Sequence, residues 1–277
     1  MKGIEKAVRS FLIRTVDALR LGVPLRNAYH ELKYLKDFQA VARNRRFSRS
    51  REAGALPFPP PRLIFRVAAH FDIEQFEATG RWAAGFITDT LDKNGLNIGS
   101  FPAILDFGCG CGRVLRHWAG LHGPRIYGTD YQRPLVNWCR RNLPFCHVEQ
   151  NGLRTPLSFP DGTFGFIYAI SVFTHLDHDG QRFWIDELDR VLGKGGALFL
   201  TVHGTTRVAE LAAEEQRLFQ EGRPIVRQEH YSGANVCATY HPPRYVREVL
   251  CSRFKLLDFI PGGARDANQD VYLFRKT

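Results

Sequence analysis

The sequence predicts an α/β fold in which a mostly parallel β-sheet carries helices on both faces. Between residues 100 and 205, short apolar segments typical of strands alternate with segments of helical periodicity. The last two strand-like segments, FKLLDFI and DVYLFRK, are separated only by the glycine-rich PGGARDANQ, which suits an antiparallel pair. The sequence is 44% hydrophobic, which is enough for a packed core.

The N-terminal segment differs from the rest of the chain in charge. Residues 1–66 hold 15 Lys and Arg against 5 Asp and Glu, so they carry the whole formal net charge of +10. Residues 3–21 predict an amphipathic helix, and a second helix follows from Pro24, with apolar residues at helical spacing: Leu25, Tyr29, Leu32 and Leu35. The proline-rich GALPFPPPR (54–62) predicts a linker. We therefore predict a basic helical extension over residues 1–62 and a second domain over residues 63–277.

The elements of the second domain follow in order along the chain. Residues 63–99 predict helices punctuated by Gly80, Gly95 and Gly99. Short apolar runs beside turns predict five strands: AILDFG, RIYGTD, CHVEQN, FGFIYAIS and GGALFLTVHG. Three of the segments between them predict helices: GRVLRHWAG, RPLVNWCRRNL and DGQRFWIDELDRVL.

The stretch LDFGCGCGR joins the first predicted strand to the next segment and is the main functional motif. Its glycines, Gly108, Gly110 and Gly112, are spaced G-x-G-x-G, unlike the G-x-G-x-x-G of a dinucleotide-binding turn. Glycine at a strand-to-helix turn permits the backbone to approach a ligand closely. Asp106, before the glycines, suits a ligand with an ammonium group. Asp130, which ends the next strand, suits a ribose diol.

These residues resemble the first motif of the class I S-adenosylmethionine-dependent methyltransferases, acid-x-Gly-x-Gly-x-Gly. IYGTD is similar to the strand of that family that ends in a ribose-binding acid. FPDGTFGFIYAISVFTHL resembles its fourth-strand region, and LDRVLGKGGALFLTV resembles its next helix, turn and fifth strand. The resemblance covers residues 63–277. It implies a Rossmann-like fold, with a mostly parallel seven-stranded sheet and an antiparallel C-terminal strand, and S-adenosylmethionine as the cofactor.

The resemblance also implies roles for the residues of the first two motifs. Asp106 would contact the methionine amino group of the cofactor. Gly108, Gly110 and Gly112 would let the loop approach the cofactor, and Asp130 would hold the ribose hydroxyls.

Further cofactor contacts are implied after the second, third and fourth strands. Tyr131 would lie against the adenine. Asn151, followed by Gly152, stands where the family often has an acid, and its amide oxygen would accept a hydrogen bond from the adenine amine. Ile170 and Ser171 would lie beside the transferred methyl group.

Two histidines follow strands whose carboxyl ends should face the substrate. His175 lies in SVFTHL after the fourth strand, and His203 lies in TVHG after the fifth. Each is a candidate general base that removes a proton from an attacking hydroxyl, and the alternative is a structural histidine. Cys109 and Cys111 form a C-x-C pair without a second ligand pair at suitable spacing, so we predict no metal site.

We therefore predict a methyltransferase that O-methylates a small-molecule, sugar or lipid-linked glycan acceptor. One alternative is an RNA or protein methyltransferase that uses the basic N-terminal arm, and another is a non-catalytic cofactor-binding scaffold. Base N-methylation would typically need a motif such as Asn-Pro-Pro-Tyr after the fourth strand. The sequence has AISV there, which disfavours nucleic acid as the acceptor.

The basic N-terminal helix has three interpretations: contact with an anionic membrane surface, contact with a phosphate-rich substrate or nucleic acid, or a helical cap on the fold. The N-terminus has no signal-peptide pattern, so we expect a cytoplasmic protein, with any membrane contact peripheral and at the inner face. The sequence does not predict the oligomeric state.

Overall fold

The structure is a computed structural model that describes residues 22–50, 52 and 54–277. The helix predicted over residues 3–21 lies outside the described residues. Within the described part, no helix has the length and apolar content needed to cross a bilayer.

A seven-stranded sheet forms the centre of the fold, in the order β3-β2-β1-β4-β5-β9-β8. Strands β1 to β5 run parallel to one another, and β9 is antiparallel to both β5 and β8. The predicted fold class is confirmed, including the antiparallel C-terminal pair. A second, two-stranded sheet of β6 and β7 was not predicted. The strands are β1 (Ala103–Phe107), β2 (Arg125–Asp130), β3 (Cys146–Gln150), β4 (Phe164–Ala169), β5 (Leu192–Val202), β6 (Ile225–Arg227), β7 (Ala238–Tyr240), β8 (Phe254–Ala264) and β9 (Gln269–Lys276).

Helices cover both faces of the large sheet, and four of the helices precede β1 in the chain. Three of the helices begin at aspartates whose carboxylates accept backbone N–H groups of the first turn: Asp37 from Ala40 at 3.0 Å, Asp72 from Gln75 at 3.0 Å and Asp177 from Gly180 at 2.7 Å. The helices are α1 (Gly22–Lys36), α2 (Phe38–Arg49), α3 (Pro61–Ala68), α4 (Ile73–Lys93), α5 (Arg133–Asn142), α6 (His178–Val191), α7 (Ala213–Gln220) and α8 (Pro243–Tyr245), which continues as a π-helical turn, Val246–Leu250.

The core lies in two layers, one on each face of the sheet. All five residues of β1 are buried, as expected for a central parallel strand. On one face, Trp184 of α6 packs with Phe107, their ring centroids 4.6 Å apart. On the other face, Ile87 of α4 is buried in one cluster with Ile104.

Helices α1 and α2 pack against the start of α4 through a buried amide. Asn44 of α2 donates hydrogen bonds from Nδ2 to the Tyr34 hydroxyl at 2.9 Å and to the Phe71 carbonyl at 2.6 Å. Its Oδ1 accepts the backbone N–H of Ile73 at 3.0 Å. A buried amide with these partners fixes the positions of both helices. The domain boundary at residue 62 stays a prediction.

The prediction of an α-helix over GRVLRHWAG is wrong. This segment is a turn followed by a 3₁₀ helix, Leu115–Trp118. The predicted punctuation at Gly80 is also wrong, because Gly80 lies inside α4. Helix α4 passes so close to the segment before the 3₁₀ helix that a Cβ at Gly80 would overlap the carbonyl oxygen of Arg113. Gly80 permits a close approach rather than a break.

Candidate active site

A cleft of about 750 Å³ lies at the carboxyl ends of β1, β2 and β4, where ligands bind in open α/β sheets. Nine of the predicted site residues line it: Gly108, Gly110, Asp130, Tyr131, Asn151, Gly152, Ile170, Ser171 and His175. Asp106, Gly112 and His203 are not among its lining residues.

The glycine loop packs directly against its neighbours. Gly108 and Gly110 have φ angles of +78° and +57°, in the left-handed region. A Cβ at Gly108 would overlap Cγ2 of Val172, and a Cβ at Gly110 would lie 2.7 Å from Cγ2 of Val67 in α3. Any larger residue would therefore push α3 or the segment after β4 away from the cleft.

Asp130 connects the end of β2 to the glycine loop. Its Oδ2 accepts the backbone N–H of Gly110 at 3.0 Å, and its Oδ1 accepts the backbone N–H of Gln132 at 2.7 Å. Burial raises the pKa of the Asp130 carboxyl to about 6. Each carboxylate oxygen retains a second lone pair, so the group can still accept hydrogen bonds from a diol in the cleft.

Asp106 lies behind the loop, only 4% exposed. Its carboxylate is hydrogen-bonded to the hydroxyl of Tyr168, which in turn accepts the indole N–H of Trp118 at 2.8 Å. Burial raises the pKa of Asp106 to about 7. Gly112 likewise faces away from the cleft, toward Leu143 of the segment after α5. Contacts of Asp106 and Gly112 with a cofactor stay predictions.

Asn151 lines the cleft and carries a side-chain oxygen without a hydrogen-bond partner among the described residues. Its Nδ2 donates to the carbonyl of Gly152 at 2.7 Å, whereas its Oδ1 is buried and has no partner among the described residues. A buried acceptor without a donor is costly, so a ligand donor such as an aromatic amine would satisfy it. The next turn is fixed by Trp184, whose indole N–H donates to the Leu153 carbonyl at 2.9 Å.

Ser171, just after β4, has a strained backbone held by a polar network. Its φ is +60°, which is uncommon for a non-glycine residue and typical of functional sites. Its backbone N–H donates to Oγ1 of Thr201 at 2.8 Å, and its hydroxyl accepts from Nε2 of Gln269 at 2.7 Å. Thr201 donates to Oε1 of Gln269 at 2.6 Å, which closes the network.

His175 lines the cleft, and a backbone carbonyl holds its ring. Its Nδ1 lies 2.7 Å from the carbonyl oxygen of Cys237. A carbonyl only accepts, so Nδ1 carries the hydrogen and Nε2 keeps its lone pair. Burial also lowers the pKa of His175, which keeps the imidazole neutral. A general-base role for His175 stays a prediction.

His203 lies behind His175 rather than in the cleft. The two ring centroids are 6.4 Å apart, and His203 is 6% exposed. Burial lowers the pKa of His203 to about 3, and its Nδ1 has no partner among the described residues. Its predicted catalytic role stays a prediction.

Four residues that the sequence does not predict reach the cleft from distant segments. Arg66 and Val67 come from α3, and Gly233 and Asn235 come from the loop between β6 and β7. Asn235 donates to the Arg66 carbonyl at 2.9 Å, and the backbone N–H of Gly233 donates to the His175 carbonyl at 2.6 Å. No local pattern marks these residues, because the fold brings them to the site.

A small second pocket adjoins the cleft. Ile170 lines both, and Thr201 of the Ser171 network lines the small pocket, whose open space is about 200 Å³. Trp82 and Phe86 of α4 form one wall, with ring planes 9° apart and centroids 5.1 Å apart. This stacked pair gives the pocket a flat apolar side.

Cys109 and Cys111, the C-x-C pair of the sequence, are buried free thiols. Burial raises the pKa of Cys111 well above its usual value, which disfavours a thiolate. Within the described ranges no group of three or more His, Cys, Asp or Glu is placed to hold a metal ion.

Comparisons with known proteins agree with this architecture. A family model described as a methyltransferase domain matches residues 105–200, the region that carries the glycine loop, Asp130 and β4. Among solved structures, the Burkholderia thailandensis 1,6-didemethyltoxoflavin-N1-methyltransferase, with bound 1,6-didemethyltoxoflavin and S-adenosylhomocysteine, is 16% identical, with a TM-score of 0.52 over 73% of this chain and 79% of that chain.

Two further structures are similar to this chain. An S-adenosylmethionine-dependent methyltransferase from Mesorhizobium loti is 15% identical, with a TM-score of 0.52 over 68% of this chain and 96% of that chain. Streptomyces venezuelae DesVI is 14% identical, with a TM-score of 0.51 over 72% of this chain and 92% of that chain. At these identities the likeness establishes the fold. The family match identifies residues 105–200 as a methyltransferase domain, and the fold of the chain is that of S-adenosylmethionine-dependent methyltransferases.

Proposed function

We propose that this protein transfers the methyl group of S-adenosylmethionine to an oxygen of a small-molecule, sugar or lipid-linked glycan acceptor. The observation that carries the proposal is that His175 lines the cleft with Nδ1 held by the Cys237 carbonyl, so that Nε2 keeps its lone pair. A hydroxyl must lose its proton as it attacks, whereas a neutral amine attacks before it loses one. A fixed neutral base therefore favours an oxygen acceptor.

The cleft residues fit the cofactor. The unsatisfied Oδ1 of Asn151 would accept a hydrogen bond from the adenine amine, and the free lone pairs of Asp130 would accept the ribose hydroxyls. Arg66 lines the same cleft and would bring positive charge to the carboxylate of the cofactor. When bound, S-adenosylmethionine supplies a methyl group activated by a sulfonium.

Ile170 and Ser171, just after β4, hold the segment that borders the cleft. Ile170 lines both the cleft and the small second pocket, and the strained backbone at Ser171 fixes the position of that segment. In-line methyl transfer depends mainly on such positioning.

A nitrogen acceptor is the second candidate function. The similar Burkholderia thailandensis protein is named an N1-methyltransferase, so the same fold carries out nitrogen methylation there. Methylation of a neutral nitrogen would not need His175 to remove a proton before the attack. The two candidate functions therefore differ in how strongly the rate depends on His175. RNA, protein and scaffold functions have no observation in their favour beyond the basic charge of residues 1–66.

Two measurements test the proposal in order. Isothermal titration with S-adenosylhomocysteine should show binding by the wild-type chain and much weaker binding by N151A. No binding by the wild type would remove the enzyme interpretation. Transfer of labelled methyl in a lysate of the source organism should then place the label in glycan, lipid or small-molecule fractions as base-resistant ethers. Label in nucleic acid or protein, or on nitrogen, would overturn the oxygen-acceptor proposal.

A further inference from the structure

Helix α1 and the start of α2 carry a stripe of exposed apolar side chains. We call these residues the α1 stripe: Leu25, Tyr29, Leu32, Leu35 and Phe38, which are 54%, 63%, 61%, 54% and 82% exposed. Only two other large hydrophobic side chains in the described residues are comparably exposed, Leu153 and Val249. Such a concentration marks an interaction surface rather than ordinary surface composition.

The opposite side of α1 is already packed, so the stripe is held outward. Tyr34 stacks on Phe71, with ring centroids 4.7 Å apart, and His30 packs on Phe65 at 5.1 Å. Asn44 anchors Tyr34 and the segment before α4 through its hydrogen bonds. Turning α1 to bury the stripe would break these contacts, so the stripe is not an unfilled part of the core.

The surroundings of the stripe are strongly basic. Residues 22–49 contain seven Lys and Arg against Glu31 and Asp37. Lys33 and Lys36, which are exposed, lie between the apolar positions of α1, and four arginines follow in α2. Basic side chains that border an apolar helix face are the pattern of a helix that lies in a membrane interface, where anionic headgroups attract them.

We propose that the α1 stripe docks the protein on an anionic lipid surface. Nucleic acid would neutralise the Lys and Arg residues but would leave the leucines in water. A second copy of the chain would cover the leucines but would bring two basic faces together. Residues 1–21 themselves carry more basic than acidic side chains, so they meet the same repulsion. An anionic bilayer satisfies both the apolar stripe and its charge.

The position of α1 connects this surface with the active site. Val23, Arg26 and Asn27 of α1 line a small recess together with Arg66 and Tyr131, which also line the cofactor cleft. Docking through α1 would therefore hold the rim of the cleft close to the lipid headgroups. A lipid-linked acceptor would reach the site from that surface, and this consequence alone rests on the proposed function.

Vesicle co-sedimentation of the full chain tests the docking. We expect wild-type protein to bind vesicles of phosphatidylglycerol mixed with phosphatidylcholine, to bind pure phosphatidylcholine poorly, and to dissociate at high salt. L32E/L35E should weaken binding at least tenfold. V249E is the matched control, because Val249 is equally exposed but lies outside the stripe, and it should bind as the wild type does.

Other results would overturn the docking proposal. Equal vesicle binding by wild type and L32E/L35E would remove the stripe from the interaction. The wild-type chain could instead fail to bind anionic vesicles and form a dimer that the L32E/L35E substitutions disrupt. This result would show that a second copy of the chain covers the α1 stripe. A wild-type chain that does neither would show that the stripe is covered by residues 1–21 or by a protein partner.

Titration with S-adenosylhomocysteine separates the docking proposal from the proposed enzyme function. Both variants should bind S-adenosylhomocysteine as the wild type does. Loss of this binding with intact vesicle binding would affect only the proposed function.

Discussion

The carboxylate of Asp130, at the end of β2, accepts a hydrogen bond at 3.0 Å from the backbone N–H of Gly110, which lies 20 positions earlier in the sequence. The sequence predicts Asp130 as a ribose ligand, but this contact gives it a second task. It fixes the conformation of the glycine loop before any cofactor binds. Loop geometry and the predicted ribose binding therefore depend on one side chain, which also accepts the N–H of Gln132.

D130N should lower both cofactor affinity and stability. An amide has one accepting oxygen, so its NH₂ would face the backbone N–H of either Gly110 or Gln132. We expect at least a tenfold loss in affinity for S-adenosylhomocysteine and a loss of about 1–3 kcal/mol in the free energy of unfolding. Calorimetry and urea titration measure these. D92N, at an exposed carboxylate on α4, is the control and should change neither; wild-type affinity in D130N would contradict the assignment.

Stability should fall with rising pH because of Asp106. Burial raises the pKa of its carboxyl from 3.8 to about 7, so the folded protein binds this proton more tightly than the unfolded chain does. The free energy of unfolding then decreases as pH rises from about 4 to about 7 and levels off above it.

D106N removes this titration and retains an acceptor for the Tyr168 hydroxyl. Its curve of unfolding free energy against pH should be flatter by about 1–3 kcal/mol between pH 5 and pH 8. Asp130 shifts in the same direction in both proteins, so the difference between the two curves isolates Asp106. Parallel curves would show that Asp106 ionises normally.

Gly110 should tolerate no side chain unless Val67 becomes smaller. G110A places a Cβ 2.7 Å from Cγ2 of Val67 in a backbone with φ of +57°. We expect a loss of about 1–4 kcal/mol in the free energy of unfolding, part from the clash and part from the backbone. V67A in the same chain should restore the part due to the clash. Equal values for G110A and V67A/G110A would mean that α3 does not rest on the loop.

The sheet and nine of the twenty residues that line the cleft could be predicted because they depend on local patterns. Apolar runs defined the strands, and the glycines and acids at the ends of β1 and β2 marked the cofactor end of the sheet. The prediction that Gly80 interrupts a helix is wrong, because the segment that requires glycine there, at Arg113, is 33 residues away in the sequence. Arg66 and Asn235 were missed for the same reason: their place in the cleft depends on how α3 and the β6–β7 loop pack together.

Asn151 should make the protein bind a cofactor whose base carries an amine more tightly than one whose base carries a carbonyl. Its unpaired Oδ1 accepts from an amine but repels a carbonyl oxygen. Wild-type protein should therefore bind S-adenosylhomocysteine at least tenfold more tightly than S-inosylhomocysteine, and N151A should lose most of this preference. Competition titration measures both affinities. An unchanged preference in N151A would place the adenine amine elsewhere.

His175 should supply the base in the proposed reaction, and H175N tests it with little structural change. The asparagine Nδ2 can donate to the Cys237 carbonyl as Nδ1 does now, but it provides no lone pair at the position of Nε2. We expect kcat for an oxygen acceptor to fall by about 10²–10⁴-fold, with affinity for S-adenosylhomocysteine unchanged. Burial lowers the pKa of His175 below 6.5, so the wild-type base stays active down to pH values below 6.5 and loses activity only under more acidic conditions. H175N should lose this acidic limb of the rate profile.

H203N is the matched comparison: His203 lies behind His175, outside the cleft lining, so its replacement should change kcat less than tenfold and leave the limb in place. A wild-type rate in H175N would exclude His175 as the base and favour an acceptor, such as a neutral amine, that needs none.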